Sequence, residues 1–424
     1  MRRNTELGLM VMAVAVTASA YTLGALGTTA TIPANIGPFL GAVIGLFLLA
    51  HLACRRYAKG ADGVLLPLAA LLNGIGYVFI ARLDKKVAGL QATWTFIGVG
   101  AFIATLVLVR RTRDLSRWKW TFALVGLLIL LLPLIPGLGY GVDARLWVRV
   151  GGLTFQPGEV AKLLLAIFLA AYLSERRELL AVGRKFGPFE IPEGRDLFPL
   201  LFAWGASLII MIGQKDLGSS LLFFALFLVM VWVATERASF LAIGLALFAA
   251  GAYFAYHQFQ HVRTRVTIWL DPWKYYNGKG YQLVESSFSM AWGGLTGTGI
   301  GRGHPDRVPA VKTDFILSAI GEELGLIGTA AIVIAYLLMV GAGLRIALRT
   351  EDPFSKLLAT GLTTILGIQA FIIIGGVTRL VPLTGVTLPF VSYGGSSLIA
   401  NYVLVALLLR ISHETAVRAG EVER

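Results

Sequence analysis

Apolar runs of roughly 17–22 residues recur from one end of this chain to the other, each long enough to cross about 30 Å of hydrocarbon at about 1.5 Å per residue. The pattern predicts spans near residues 7–28, 37–54, 64–82, 92–110, 118–136, 157–174, 197–213, 217–234, 239–256, 315–346, 356–377 and 393–411. The tenth of these twelve is long enough to hold a re-entrant piece followed by a full crossing. Residues 257–314 form the one long stretch that is neither apolar nor short. In a chain built of lipid-soluble helices, a water-facing loop of that size is where chemistry is expected.

Composition agrees with the pattern. Apolar residues make up 56% of the 424, charged residues 14%, and the mean hydropathy is +0.75, whereas a soluble domain is about one quarter charged. The expected fold is therefore all-α, a polytopic membrane protein of about twelve transmembrane helices with one large extracytoplasmic loop, 257–314. The first run begins near Leu7 after Arg2 and Arg3, and no small-residue cleavage site follows it, so it reads as the first span. A cytoplasmic N-terminus puts Arg55, Arg56, Lys59, Arg110, Arg111, Arg113, Arg117, Arg345, Arg349 and the tail after Arg410 inside, as insertion energetics favour. Arg82, Lys85 and Lys86 are the exception and fall outside. The net charge of +13 thus belongs mainly to cytoplasmic loops rather than to a nucleic-acid face. Cys54 is the only cysteine, which excludes intrachain disulfides and cysteine metal cages. The outer face receives loops 137–157 and 257–314 and a re-entrant segment after Arg379.

Ionisable groups in or against a bilayer cost a few kcal/mol each and are functional candidates. Glu159 and Lys162, three apart in QPGEVAKLLL, share one helix face just after Pro157. They read either as a helix-start carboxylate with its neutralising lysine or as substrate contacts. Asp216 reads as the N-cap of the following span, and Gln369 as an interhelical hydrogen-bonding amide. Asp314 lies where the long polar loop dives back into apolar sequence, with Lys312 two residues before it and Glu322 and Glu323 about two turns later. It reads either as a helix cap shared with Thr313 or as a base for a sugar hydroxyl at a cavity mouth. The run GGLTGTGIGRG (Gly293–Gly303) lacks nucleotide-binding spacing and reads as a flexible or tightly turned loop. The histidines show no metal spacing, no D-x-D pair occurs, and no cofactor is evident.

The motifs together are specific. DARLWVRVGGLTFQPGEVAK, QKDLGSS, DPWKYYNGKGYQLVES, KTDFILSAIGEELGLIG and LTGVTLPFVSYGGSSLIANY resemble, in order, the signatures of the SEDS family (shape, elongation, division and sporulation) over residues 141–412. The resemblance implies a ten-helix core, residues 61–424, preceded by an extra helical pair in residues 1–60. It implies a multi-pass protein of the bacterial cytoplasmic membrane, both termini cytoplasmic, that polymerises lipid II, the undecaprenyl-pyrophosphate disaccharide-peptide. It also implies a class B penicillin-binding protein as transpeptidase partner, with membrane lipid around both. The family's essential aspartate falls on Asp314. Its loop arginine and tryptophan fall on Arg145 and Trp147, its glutamate–lysine pair on Glu159 and Lys162, and its S-Y-G-G-S-S serine on Ser396. Lys312 stands where the family has histidine, and Ile373 and Arg379 where it usually has asparagine and glycine; this favours the rod-shape branch over the division branch. Arg145, Lys312 and Arg379, with Lys162, are the candidate phosphate-holding cations, and the resemblance leaves room for a divalent cation bound with the pyrophosphate. Trp147, Trp269 and Trp273 are candidates for interface anchors or sugar stacking. A lipid II flippase and a scaffold that only recruits a partner are the rival readings, since intramembrane charge suits a substrate path too.

Overall fold

A computed structural model describes residues 2–31, 36–140, 146–150, 153–181, 184–186, 189–191 and 194–421. The helices are α1 (Arg2–Thr29), α2 (Ile36–Tyr57), α3 (Leu65–Leu83), α4 (Lys85–Leu108), α5 (Lys119–Leu131), α6 (Pro157–Ala181), α7 (Gly194–Gln214), α8 (Leu217–Thr235), α9 (Ala238–Gln258), α10 (Gln260–Leu270), α11 (Tyr281–Gly293), α12 (Ile316–Arg349), α13 (Pro353–Val377) and α14 (Gly395–Arg418). Among the described residues eleven helices are long and apolar enough to cross a membrane. The shorter apolar helix Phe198–Gln214 stands where the sequence predicts the remaining span. The protein is a helical, multi-pass membrane protein. Its strands are short: β1 (Gly139–Tyr140), β2 (Trp147–Val150) and β3 (Leu153–Phe155) form one antiparallel sheet, and β4 (Arg184–Phe186) pairs with β5 (Phe189–Ile191).

The chain divides into two compact units: Met1–Arg110, Thr267–Ala342 and Gln369–Arg424 form the first, and Arg111–Val266 with Gly343–Ile368 the second. In the first unit α14 packs on α4 and α3, and α1 on α3. Asn73 Nδ2 donates to Tyr402 Oη at 2.8 Å and to Thr95 Oγ1 at 3.3 Å, which satisfies polar groups that lipid would leave unpaired. Near the other end of α14, Arg410 donates to Tyr57 O at 2.7 Å and to Leu106 O, so one guanidinium serves carbonyls in the last turns of both α2 and α4. In the second unit α5, α6, α7 and α8 pack against one another, with Leu130, Ala161, Leu165, Met211 and Phe223 as a buried cluster.

Two features of the first unit shape the site. Inside α12, Gly325 takes φ 66°, ψ −165°, so the over-long tenth span is two helical pieces joined at a break. The Gly293–Gly303 run closes on that break. Gly299 N–H donates to Glu323 O at 3.0 Å, Thr298 N–H to Glu322 O at 2.9 Å, and Leu326 N–H to Gly294 O at 2.9 Å. The run is tightly turned. The second feature is Gly76 of α3, against which the non-helical segment after α13 lies. A Cβ there would sit 2.4 Å from Val391 O and 2.7 Å from Val391 Cα. Backbone cannot rotate out of the way, so Gly76→Ala is expected to destabilise the protein by about 1–3 kcal/mol in thermal unfolding. Gly89→Ala in α4, where nothing lies within 4 Å, is expected to be neutral or slightly stabilising.

Candidate functional site

Asp314 sits in a turn, residues 311–315, that immediately precedes α12. Thr313 and Phe315 N–H both donate to Ala310 O, at 3.0 and 3.3 Å. Phe315 is fully buried and Asp314 half-buried. The apolar anchor thus seats the turn that carries Asp314. The segment between α13 and α14 holds the same turn from another side. Tyr393 N–H donates to Lys312 O at 2.9 Å. The Ser392 hydroxyl donates to Thr313 O at 2.6 Å and accepts from Leu388 N–H at 2.9 Å. That segment is itself tied down by Gln369 Nε2, donating to Thr387 O at 2.9 Å, and by the Tyr336 hydroxyl, donating to Pro389 O. Gln369 thus holds the backbone of the segment between α13 and α14.

A third tie comes from the junction of α3 and α4. Asp84 ends α3 and caps α4, its Oδ1 accepting from Lys86 N–H at 2.9 Å and Val87 N–H at 3.3 Å. Its other oxygen accepts Lys312 Nζ at 2.6 Å. The Lys312 ammonium, then the Val87 N–H, hold the Asp84 carboxyl below the usual carboxylate range. A depressed carboxylate contributes its stabilisation above its unfolded pKa of about 4 and loses it only as the pH falls through the lower folded value. The pair is therefore intact across neutral pH. Two residues earlier, Arg82 Nε pairs with the fully buried Glu323 at 2.6 Å and its guanidinium also donates to Gly303 O at 2.6 Å. Glu323 accepts in addition from Gly301 N–H at 3.0 Å.

Arg379 has a positive φ of 62° in the turn after α13. It exchanges hydrogen bonds with Trp269: the indole N–H donates to Arg379 O at 2.9 Å, and the guanidinium to Trp269 O at 3.3 Å. Arg379 Nε is buried and has no hydrogen-bond partner among the described residues. Trp273 lies half-exposed, edge-on to Phe288 with centroids 5.3 Å apart. Ser396 is buried in the first turn of α14.

The other residues singled out from the sequence lie in the second unit. Trp147 is half-buried on β2, in register with Tyr140. Pro157 opens α6, and Glu159 Oε2 receives Lys162 Nζ at 2.6 Å with side chains only 6% and 2% exposed. Asp216 caps α8 through Ser219 N–H at 2.9 Å, as the sequence suggests. Burial, with Glu159's charge behind it, raises the Asp216 pKa against the opposing pull of Ser219 and Arg265. Arg145 lies outside the described residues. The structure thus groups Lys312, Asp314, Arg379 and Ser396 in one unit and Trp147, Glu159 and Lys162 in the other. Sequence reasoning gave no site role to Asp84 and Arg82. The one signal was the run Arg82, Lys85, Lys86 on the side that insertion energetics disfavour. Among the described residues no group of three or more His, Cys, Asp or Glu could hold a metal ion.

The peptidoglycan glycosyltransferase RodA of Mycobacterium tuberculosis is 47% identical over 97% of this chain and 91% of its own. The RodA of Mycobacterium leprae is 45% identical over 97% and 90%. A solved chain from a peptidoglycan synthase complex that coordinates polymerization and crosslinking superposes with a TM-score of 0.69 and 26% identity, covering 84% of this chain and 98% of that one. The cell cycle protein family FtsW/RodA/SpoVE matches residues 63–417, leaving α1 and α2 ahead of the match. With that match and those relatives, the chain belongs to the FtsW/RodA/SpoVE family of cell cycle proteins.

Proposed function

We propose that this chain is a peptidoglycan glycosyltransferase of the RodA type, joining lipid II units into glycan strands at the outer face of the cytoplasmic membrane during cell elongation. Both termini lie on the cytoplasmic side, which puts most of the basic loops there. The observation that carries the reading is the Asp314 turn: a half-buried acidic residue in a turn held by Ser392, Tyr393 and the Lys312–Asp84 pair. A carboxylate so fixed can act as a general base, which needs placement before it needs an adjusted pKa.

In the reaction, the 4-hydroxyl oxygen of one disaccharide bonds to the anomeric carbon of another. The bond from that carbon to the undecaprenyl pyrophosphate breaks, its electron pair leaving on the phosphate, and the hydroxyl proton passes to Asp314. A direct displacement of this kind inverts the anomeric centre. Lys312 and Arg379 hold the departing pyrophosphate. The Nε of Arg379, buried without a hydrogen-bond partner among the described residues, supports that role, because an unsatisfied charged donor is costly and a phosphate oxygen would satisfy it. Glu159 and Lys162, paired with each other and nearly inaccessible, brace the start of α6. A penicillin-binding protein of class B supplies the cross-linking step. The 26% identity to a chain of a synthase complex that coordinates polymerization and crosslinking supports such a partner.

Purified protein in lipid vesicles is expected to convert lipid II into strands that resolve as a ladder on a gel. Faster movement of labelled lipid II across the vesicle, with no strands, would instead identify a transporter. Arg379→Gly keeps a residue suited to the positive φ while removing the guanidinium. It is expected to raise KM for lipid II about tenfold, equivalent to about 1.4 kcal/mol, with an unchanged thermal midpoint. An unaltered KM would remove Arg379 from the phosphate-holding set.

A further inference from the structure

We infer that Asp84 is a positioning residue for the Asp314 turn, acting through Lys312; this rests on the turn being the polymerising site. The two oxygens of Asp84 do separate jobs. Oδ1 is fixed on the α4 cap, and Oδ2 is thereby presented to Lys312 at 2.6 Å. A side chain already locked by its cap loses little further freedom on pairing, so the usual entropic penalty of a surface ion pair is small here.

The frame that presents Asp84 is itself rigid. Arg82, two residues away, is locked to Glu323 and to Gly303 O, both at 2.6 Å. The α3–α4 junction therefore offers a cation and then an anion, while the facing segment offers the complementary anion at Glu323 and cation at Lys312. Those two ties bracket Asp314 in sequence and are of opposite polarity. Exchanging the partners would set Arg82 against Lys312 and Asp84 against Glu323, so the pairing specifies one register of the turn as well as stabilising it. The backbone ties from Tyr393 and Ser392 fix Lys312 O and Thr313 O, and among the described residues only Asp84 pairs with the Lys312 ammonium. The cation proposed to meet the pyrophosphate is thus held in place before substrate arrives.

A double-mutant cycle tests the coupling in reconstituted vesicles. Asp84→Asn retains a good cap residue and removes only the charge. It is expected to lower kcat/KM for lipid II about tenfold in the native background and less than about twofold in a Lys312→Met background, because coupled residues are non-additive. An equal loss in both backgrounds, or none in the native one, overturns the inference. A second readout needs no activity. Maleimide labelling of a Thr313→Cys variant, made in a Cys54→Ala background, is expected to speed up several-fold when Asp84→Asn is added. An unchanged labelling rate also overturns the positioning role. Wild-type protein that makes no strands would sink the glycosyltransferase reading, and the labelling arm would still judge the role of Asp84.

Discussion

Asp314→Asn is expected to slow glycan strand growth by about 10²–10⁴-fold, the usual contribution of a positioned general base. Asparagine keeps the size of the side chain and much of its hydrogen-bonding capacity, but it cannot take the proton of an attacking hydroxyl. The turn should survive the change, because its seat is the buried Phe315 and its ties run through Lys312 O and Thr313 O. Thermal midpoint and lipid II binding are therefore expected to stay close to wild type while turnover collapses. Loss of binding in parallel with turnover would make Asp314 a binding residue instead.

The second large effect belongs to the buried pair in α6. Glu159→Gln alone, or Lys162→Met alone, is expected to cost about 3–5 kcal/mol, since each removes the 2.6 Å counter-charge of a nearly inaccessible ion. Replacing both together with apolar residues of similar volume should recover most of that loss. Glu159→Gln carries a second consequence. Glu159's charge is one of the influences raising the Asp216 pKa, so its removal should bring that value part of the way down. Thermal unfolding and monodispersity in detergent check the first effect. Equal stability for the single and double variants would show that the pair is not what holds this end of α6.

Much of this could be read from sequence where the signal is local. Apolar run lengths place the spans because the bilayer sets them, and the over-long tenth run announces the break that Gly325 supplies. Glu159 and Lys162 meet because three residues make nearly one helical turn, and Asp216 caps because its side chain bonds three residues ahead. What stayed hidden is long-range. Arg82 and Glu323 are 241 residues apart and Asp84 and Lys312 228, and neither periodicity nor charge says which cation meets which anion. The hold of the segment between α13 and α14 on the Asp314 turn is partly backbone, through Tyr393 N–H, which almost any residue could provide. Gln369 illustrates the same limit: a lone amide in an apolar span demands a partner without naming it. The strands around Trp147 are two to four residues long, too short for an alternating pattern to register.

The central claim is that the Asp314 carboxylate takes the proton during strand growth. The most direct measurement is the rate of lipid II polymerisation against pH, for wild type and Asp314→Asn in identical vesicles. Wild type is expected to lose rate on the acid side as a single carboxylate protonates, while the small residual rate of Asp314→Asn runs flat through the same range. The same acid-side fall in both proteins would place the titrating base elsewhere and contradict the account.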